Sequence, residues 1–147
     1  VRYDPDLARR FGGKPSNKYR AVKARLPGSL RLYASGWERD RARDLQLMER
    51  AGEIRDLVEQ PWVDLTKYHT YHPDFAYYEK SKDGGRWVFE DVKGASTERF
   101  VINCRLWHER GPGVLIVTRK AEGGRFLRVK EIMPDKVDVK MWRKNRV

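Results

Sequence analysis

The sequence predicts an α/β fold, a mixed β-sheet flanked by helices, with its elements in the order helix, strand, two-stranded hairpin, helix, strand (αβββαβ) and one added C-terminal strand. Three observations predict it. Residues 71–94, YHPDFAYYEKSKDGGRWVFEDVKG, contain two runs of aromatic and β-branched residues separated by Ser81-Lys82-Asp83-Gly84-Gly85, which has the turn chemistry of a hairpin. The following TERFVINCRLWHER places Phe100, Val101, Cys104 and Trp107 at helical spacing. Gly111-Pro112-Gly113 stops that helix, and Val114-Leu115-Ile116-Val117 is a short continuous apolar run, as expected of a strand buried on both faces. A helix that leaves one strand and feeds a buried one is a crossover, so the strands at 86–93 and 114–118 are expected to be parallel neighbours.

The remaining elements follow from the N-terminus. Residues 1–28 carry eight Lys and Arg residues, Lys18 and Arg20 among them, between Gly12, Gly13, Pro15, Pro27 and Gly28. Little apolar periodicity is present, so this segment reads as an extended basic arm able to lie along phosphates. A solvated tail is the plainer alternative. Ser35-Gly36-Trp37-Glu38 has capping-box spacing and opens a helix whose stripe is Trp37, Arg41, Leu45 and Met48, with Gly52 expected at its end. Trp62 to Thr66 is the candidate first strand. Past the buried run, Gly123-Gly124 turns the chain into an antiparallel strand over 125–132, and 136–147 reads as a second basic tail. The expected organisation is an arm (1–28), one domain (29–135) and a tail (136–147).

Composition narrows the function classes. The chain has 147 residues, 32 Lys and Arg against 21 Asp and Glu, a net charge of +11, and 12% aromatic residues. That is one domain's length with enough apolar material for a packed core. A basic excess of this size points to a polyanion, nucleic acid or an anionic membrane surface. No run of about 18 apolar residues exists, which excludes a spanning helix. Cys104 is the single cysteine, so neither an intrachain disulfide nor a thiolate zinc cluster is available, and its place on the apolar stripe reads as core rather than nucleophile. The first residues lack the apolar stretch of a secretory signal, and an intracellular setting is expected.

The hairpin carries the chemistry. With its turn centred near Lys82 and Asp83, residues whose numbers sum to about 165 face each other, which sets Asp74 opposite Asp91 on one face of the sheet. Lys93 shares that face by the period-two rule. Two facing carboxylates repel, so a positive charge is expected beside them, with a divalent metal the natural candidate. An exposed cross-strand charge pair is the plainer reading of Asp91 and Lys93. Glu90 points to the opposite face unless a bulge reverses the strand end, in which case Glu90 replaces Asp91. Ser96 or Thr97 caps the second helix, whose N-terminus, with Thr97, Arg99 and Arg105 around it, could receive a phosphate. His69 and His72, three apart with no third ligand, do not form a convincing zinc site.

Pro73-Asp74, a spacer and Asp91-Val92-Lys93, set on this order of elements, resemble the PD-(D/E)XK nuclease superfamily and its restriction-endonuclease-like core. More narrowly, Glu38, Ala51-Gly52-Glu53-Ile54, Gln60-Pro61, Pro73-Asp74-Phe75 and Glu90-Asp91-Val92-Lys93-Gly94 resemble small phage-type endonucleases of the Holliday junction resolvase kind. The resemblance covers roughly residues 18–118. It implies Mg²⁺ (Mn²⁺ as a substitute) held by Asp74, Asp91 and the Val92 carbonyl. It also implies a metal-directed Glu38, which sits at a capping position, and Gln60 near the site touching DNA or water. Lys93 would orient or deprotonate the attacking water, or stabilise the crowded phosphorus. The implied function is Mg²⁺-dependent endonuclease cleavage of DNA, most attractively branched DNA such as a four-way junction, by a homodimer and with no small-molecule cofactor. A duplex or nicking nuclease, including the strand-cleaving subunit of a transposon, and a non-catalytic nucleic-acid-binding module are the alternatives.

Overall fold

A computed structural model of the chain describes residues 24–26, 32–93 and 97–144. The chain divides into two compact units, 1–39 and 40–147. In the first, β1 (Ala24–Arg25) pairs antiparallel with β2 (Leu32–Tyr33). The rest of the expected basic arm, with Lys18 and Arg20, lies outside the described residues. Helix α1 (Gly36–Arg50) starts in this unit, where the Ser35 hydroxyl accepts the Glu38 backbone N–H at 3.2 Å, the N-cap bond that the capping-box spacing predicts. Its far end, in the second unit, closes through Glu53 N–H to Met48 O and Gly52 N–H to Glu49 O, both 3.0 Å. Gly52 there has φ 75°, a left-handed turn that glycine makes without strain.

The second unit is built on a five-stranded mixed sheet in the order β3-β6-β7-β8-β9. These are β3 (Ile54–Glu59), β6 (Phe75–Glu79), β7 (Arg86–Val92), β8 (Val114–Lys120) and β9 (Phe126–Ile132). The hairpin β6–β7 has the expected register, Phe75 opposite Glu90 through Glu79 opposite Arg86, with no shift. Helix α2 (Glu98–Arg110) carries the chain from β7 to β8, which run parallel from Val88/Val114 to Val92/Thr118. β9 returns antiparallel. A second sheet, in the order β10-β4-β5, joins β4 (Trp62–Thr66), β5 (His69–Tyr71) and β10 (Trp142–Arg143).

Two expectations are corrected here. The strand preceding the hairpin in the main sheet is β3, not Trp62–Thr66, which belongs to the small sheet. β3 reads IRDLVE, an edge strand with a register irregularity between Arg55 and Val58 and a left-handed Asp56 (φ 55°), so it shows neither alternation nor an apolar run. The described part of the expected tail, 136–144, is not simply a tail. Trp142 pairs with Val63, and its ring packs 4.8 Å from that of Trp87 and 5.3 Å from that of Phe89.

The two faces of the main sheet bury different things. On one, Ala76, Phe89, Leu115 and Val117 meet Phe100, Cys104 and Trp107 of α2, with Val63, Leu65 and Tyr71 of the small sheet in the same cluster. Burying an aromatic such as Phe89 or Trp107 stabilises the fold by ~1.5–3 kcal/mol. Trp107 satisfies its indole N–H on the Gly113 carbonyl at 2.9 Å. At Gly113 a Cβ would lie 2.5 Å from the Trp87 carbonyl oxygen, so only glycine lets α2 return this closely onto β7.

On the other face Glu90 is fully buried. Its carboxylate accepts from Arg41 Nε at 2.5 Å and from a second Arg41 nitrogen at 3.1 Å, and from the Tyr77 and Thr118 hydroxyls at 2.8 Å each. Burial alone would depress the Arg41 pKa, but the hydrogen bond and charge of Glu90 outweigh it and raise it. Removing one partner strands a buried charge, which typically costs ~3–5 kcal/mol. Arg41→Ala is therefore expected to lower unfolding stability by about that amount, read from the urea midpoint.

Candidate active site

The site lies where the hairpin runs out beside α2. Asp74 precedes β6 by one residue, so Val92, paired with Thr118 of β8 on one side, has no strand partner on the β6 side. The Asp74 carboxylate takes its place, Oδ2 accepting the Val92 N–H at 2.7 Å. The Asp74 carbonyl in turn accepts the Gln60 backbone N–H at 2.8 Å, which fixes the main chain of Asp74 against the end of β3. Asp74 is thus oriented through both its backbone and its side chain.

Asp91, 3% exposed, lies on the α2 face. Its Oδ1 is 3.1 Å from Lys93 Nζ, and its Oδ2 accepts the Tyr71 hydroxyl proton. Lys93 also lies over the Phe100 ring, 4.9 Å from its centroid. The Lys93 ammonium thus supplies a positive charge to Asp91. Among the described residues no group of three or more His, Cys, Asp or Glu is placed to hold a metal ion.

Of the other residues singled out in the sequence, some join this site and some do not. No register shift interrupts β7, so Glu90 stays on the opposite face, where Arg41, Tyr77 and Thr118 occupy its oxygens. It is not the alternative to Asp91. Val92 joins the site through its backbone N–H, which donates to Asp74 Oδ2. Glu38 belongs to the first unit, whereas the site described is built from the second. Thr97 is the N-cap of α2, its hydroxyl accepting the Phe100 N–H at 3.1 Å. Arg99 and Arg105 are exposed, and Arg99 with Lys93 and Thr97 lines a groove beside the site. His69 meets Asn103 (Nε2 to Oδ1, 2.5 Å) while His72 stands edge-on to Trp62, so the two histidines have different partners.

Tyr71 is the residue that sequence reasoning missed. Strand β5 of the small sheet carries it over Asp91, and a carboxylate on a core-facing position was the available signal that a donor had to come from elsewhere. Burial first, then the charge of Asp91, the hydrogen bond to it and the charge of Asp74 hold the phenol well above its ordinary value. Tyr71 is therefore a fixed proton donor to Asp91.

Comparison of the chain with protein-family models, with curated proteins and with solved structures finds no match.

A tyrosine whose folded-state pKa is raised contributes stability that is complete below the unfolded value of ~10 and is lost as pH rises through the folded value. Tyr71→Phe is expected to cost about 1.5–3 kcal/mol at neutral pH, the usual worth of a hydrogen bond to a charged group. It should also flatten the loss of stability above pH ~10. Urea unfolding from neutral to alkaline pH checks both. Tyr77, shifted the same way by burial and by Glu90, leaves a residual slope that Tyr77→Phe removes.

Proposed function

We propose that this chain is a metal-dependent DNA endonuclease of the PD-(D/E)XK type. One observation carries the reading. Asp74 and Asp91 lie at the open end of the β6–β7 hairpin, Asp74 on the Val92 N–H and Asp91 on Lys93, and α2 follows directly. The succession of α1, β3, an antiparallel hairpin, α2 and a strand parallel to β7 supports a restriction-endonuclease-like core.

The donor set suits a hard cation. Asp74, Asp91 and the Val92 carbonyl offer oxygen only, and Mg²⁺ keeps several waters and takes few protein ligands. Mn²⁺ would substitute. Bound there, the ion would supply charge neutralisation at the phosphoryl oxygens and an activated water. The chain's own residues do the positioning. Tyr71 holds Asp91 Oδ2, which directs Oδ1 to the Lys93 side. Lys93 Nζ is then within reach of an attacking water or a phosphoryl oxygen. Asp74, tied to the Val92 N–H, keeps its carboxylate in register with Asp91.

The charge of +11 gives the affinity for phosphates. Arg99 and Arg105 on α2, Gln60 at the end of β3 and Lys18 and Arg20 of the N-terminal segment are the DNA contacts of this proposal. Branched DNA cut by a homodimer is the proposed substrate, on the resemblance alone. One observation favours a second reading, a binding module without turnover. Asp91 and Asp74 are already partnered by Lys93, Tyr71 and the Val92 N–H.

Cleavage of labelled linear duplex and four-way junction with Mg²⁺ or EDTA separates the readings. Mg²⁺-dependent cutting is expected, reduced ~10²–10⁴-fold by Lys93→Met in protein that is still folded at the assay temperature, because loss of the Asp91 partner also lowers the urea midpoint. Equal cutting of the two substrates removes the junction preference. No cutting of either, with steeply salt-dependent binding intact, leaves the binding module.

A further inference from the structure

Beside Lys93 a groove of about 250 Å³ opens between β5 and the start of α2. Its lining includes Lys93, Arg99, His72, Asn103, Phe100 and Tyr71, and no acidic side chain among the described residues. It is smaller than the ~300–1,000 Å³ of pockets that take drug-sized ligands, a size that suits a single base. A second groove, near Leu65 and Leu106, sets Glu109 and Asp135 beside Arg110 and Lys136, so its charges balance and it is less suited to a polyanion.

Three side chains of the small groove are fixed in ways that suit a nucleotide. His72 is exposed at the rim, but its ring is held edge-on by Trp62 (centroids 4.2 Å apart, planes at 81°). Trp62 is itself anchored by its indole N–H on Asp64 at 3.0 Å and by the Arg143 guanidinium 5.2 Å from its ring centroid. The result is a flat ring presented in one orientation, the kind of surface on which an unstacked base is recognised. Asn103 is 5% exposed and lines the groove, and its oxygen is occupied by His69. What it offers an occupant is its amide N–H groups, donors for a base carbonyl or ring nitrogen. Arg99 and Lys93 provide the cationic rim on the side of the carboxylates.

We propose that this groove is a subsite for one unpaired nucleotide next to the cut, its phosphate on Arg99 and Lys93 and its base against His72 and the Asn103 amide. The site thereby selects DNA that already contains an unstacked nucleotide, because a paired base would first have to leave its helix at a cost of a few kcal/mol. The identity of the strand as the one cleaved rests on the nuclease reading. The binding does not.

The test is therefore a binding measurement without cleavage. Fluorescence anisotropy in EDTA compares three oligonucleotides of equal length and charge: a paired duplex, the same duplex with one unpaired nucleotide, and the latter with that nucleotide abasic. Wild-type protein is expected to prefer the unpaired nucleotide over both others by about tenfold, the scale of one base stacked on an aromatic ring. His72→Ala should abolish the preference while leaving duplex affinity unchanged, and Arg99→Ala should weaken it. His72 is exposed, so folding is not at issue, and the urea midpoint verifies this. Equal affinity for all three DNAs, or an equal loss on duplex and unpaired substrates in His72→Ala, overturns the subsite. Absence of Mg²⁺-dependent cleavage with the preference intact would refute the nuclease and leave the subsite standing.

Discussion

A carboxylate shut away from water must find its solvation inside the protein, and Glu90 finds it in three elements at once. Arg41 reaches it from α1, Tyr77 from β6 and Thr118 from β8, with β7 carrying Glu90 between the two strands. Much of the second unit depends on this arrangement. It locks the helix to the sheet, and it decides which side of β7 faces which helix. A slip of one residue would turn every side chain of β7 over. Asp91, one methylene shorter, would then face Arg41, and Glu90 would enter the apolar cluster around Phe100 and Trp107 without a partner. The cost of leaving a buried charge uncompensated is what excludes that register.

The consequence for the site is direct. Because Glu90 is committed to one face, alternation sends Asp91 and Lys93 to the other, where α2 and the small sheet wait. Asp91 needs a donor on that face, and β5 supplies Tyr71. The small sheet is held there partly by the C-terminal segment, since β10 pairs with β4 and Trp142 packs on Trp87 and Phe89. A stretch that looks peripheral in the chain thus supports the residue that orients Asp91.

The local charge balance of the site is also more economical than two facing carboxylates first suggest. Lys93 neutralises Asp91, and Asp74 spends one oxygen on the free N–H at the end of β7. Such a site is stable as it stands and still presents oxygen donors and an ammonium at one end of the sheet. The same features serve a metal-assisted hydrolysis or the binding of a phosphate, which is why cleavage assays and not geometry separate the two proposals.

What the sequence by itself determined was local and periodic. The turn residues and alternating apolar positions of 71–94 dictated the hairpin and its register, Phe75 opposite Glu90 through Glu79 opposite Arg86, which could be read before any coordinates. Helical spacing located α2, and the unbroken apolar run of β8 implied the parallel crossover. The tertiary structure alone decided matters that depend on distant parts of the chain. β3 is an irregular edge strand with little burial to impose a pattern. Trp62–Thr66 alternates like a core strand but buries its face in a sheet of its own. Tyr71, Arg41 and Trp142 acquire their roles only from partners between 20 and 79 residues away. Local periodicity reports which face of an element is apolar. It carries no record of which other element arrives to cover that face, and the donor to Asp91 and the counter-charge to Glu90 are both supplied by such arrivals.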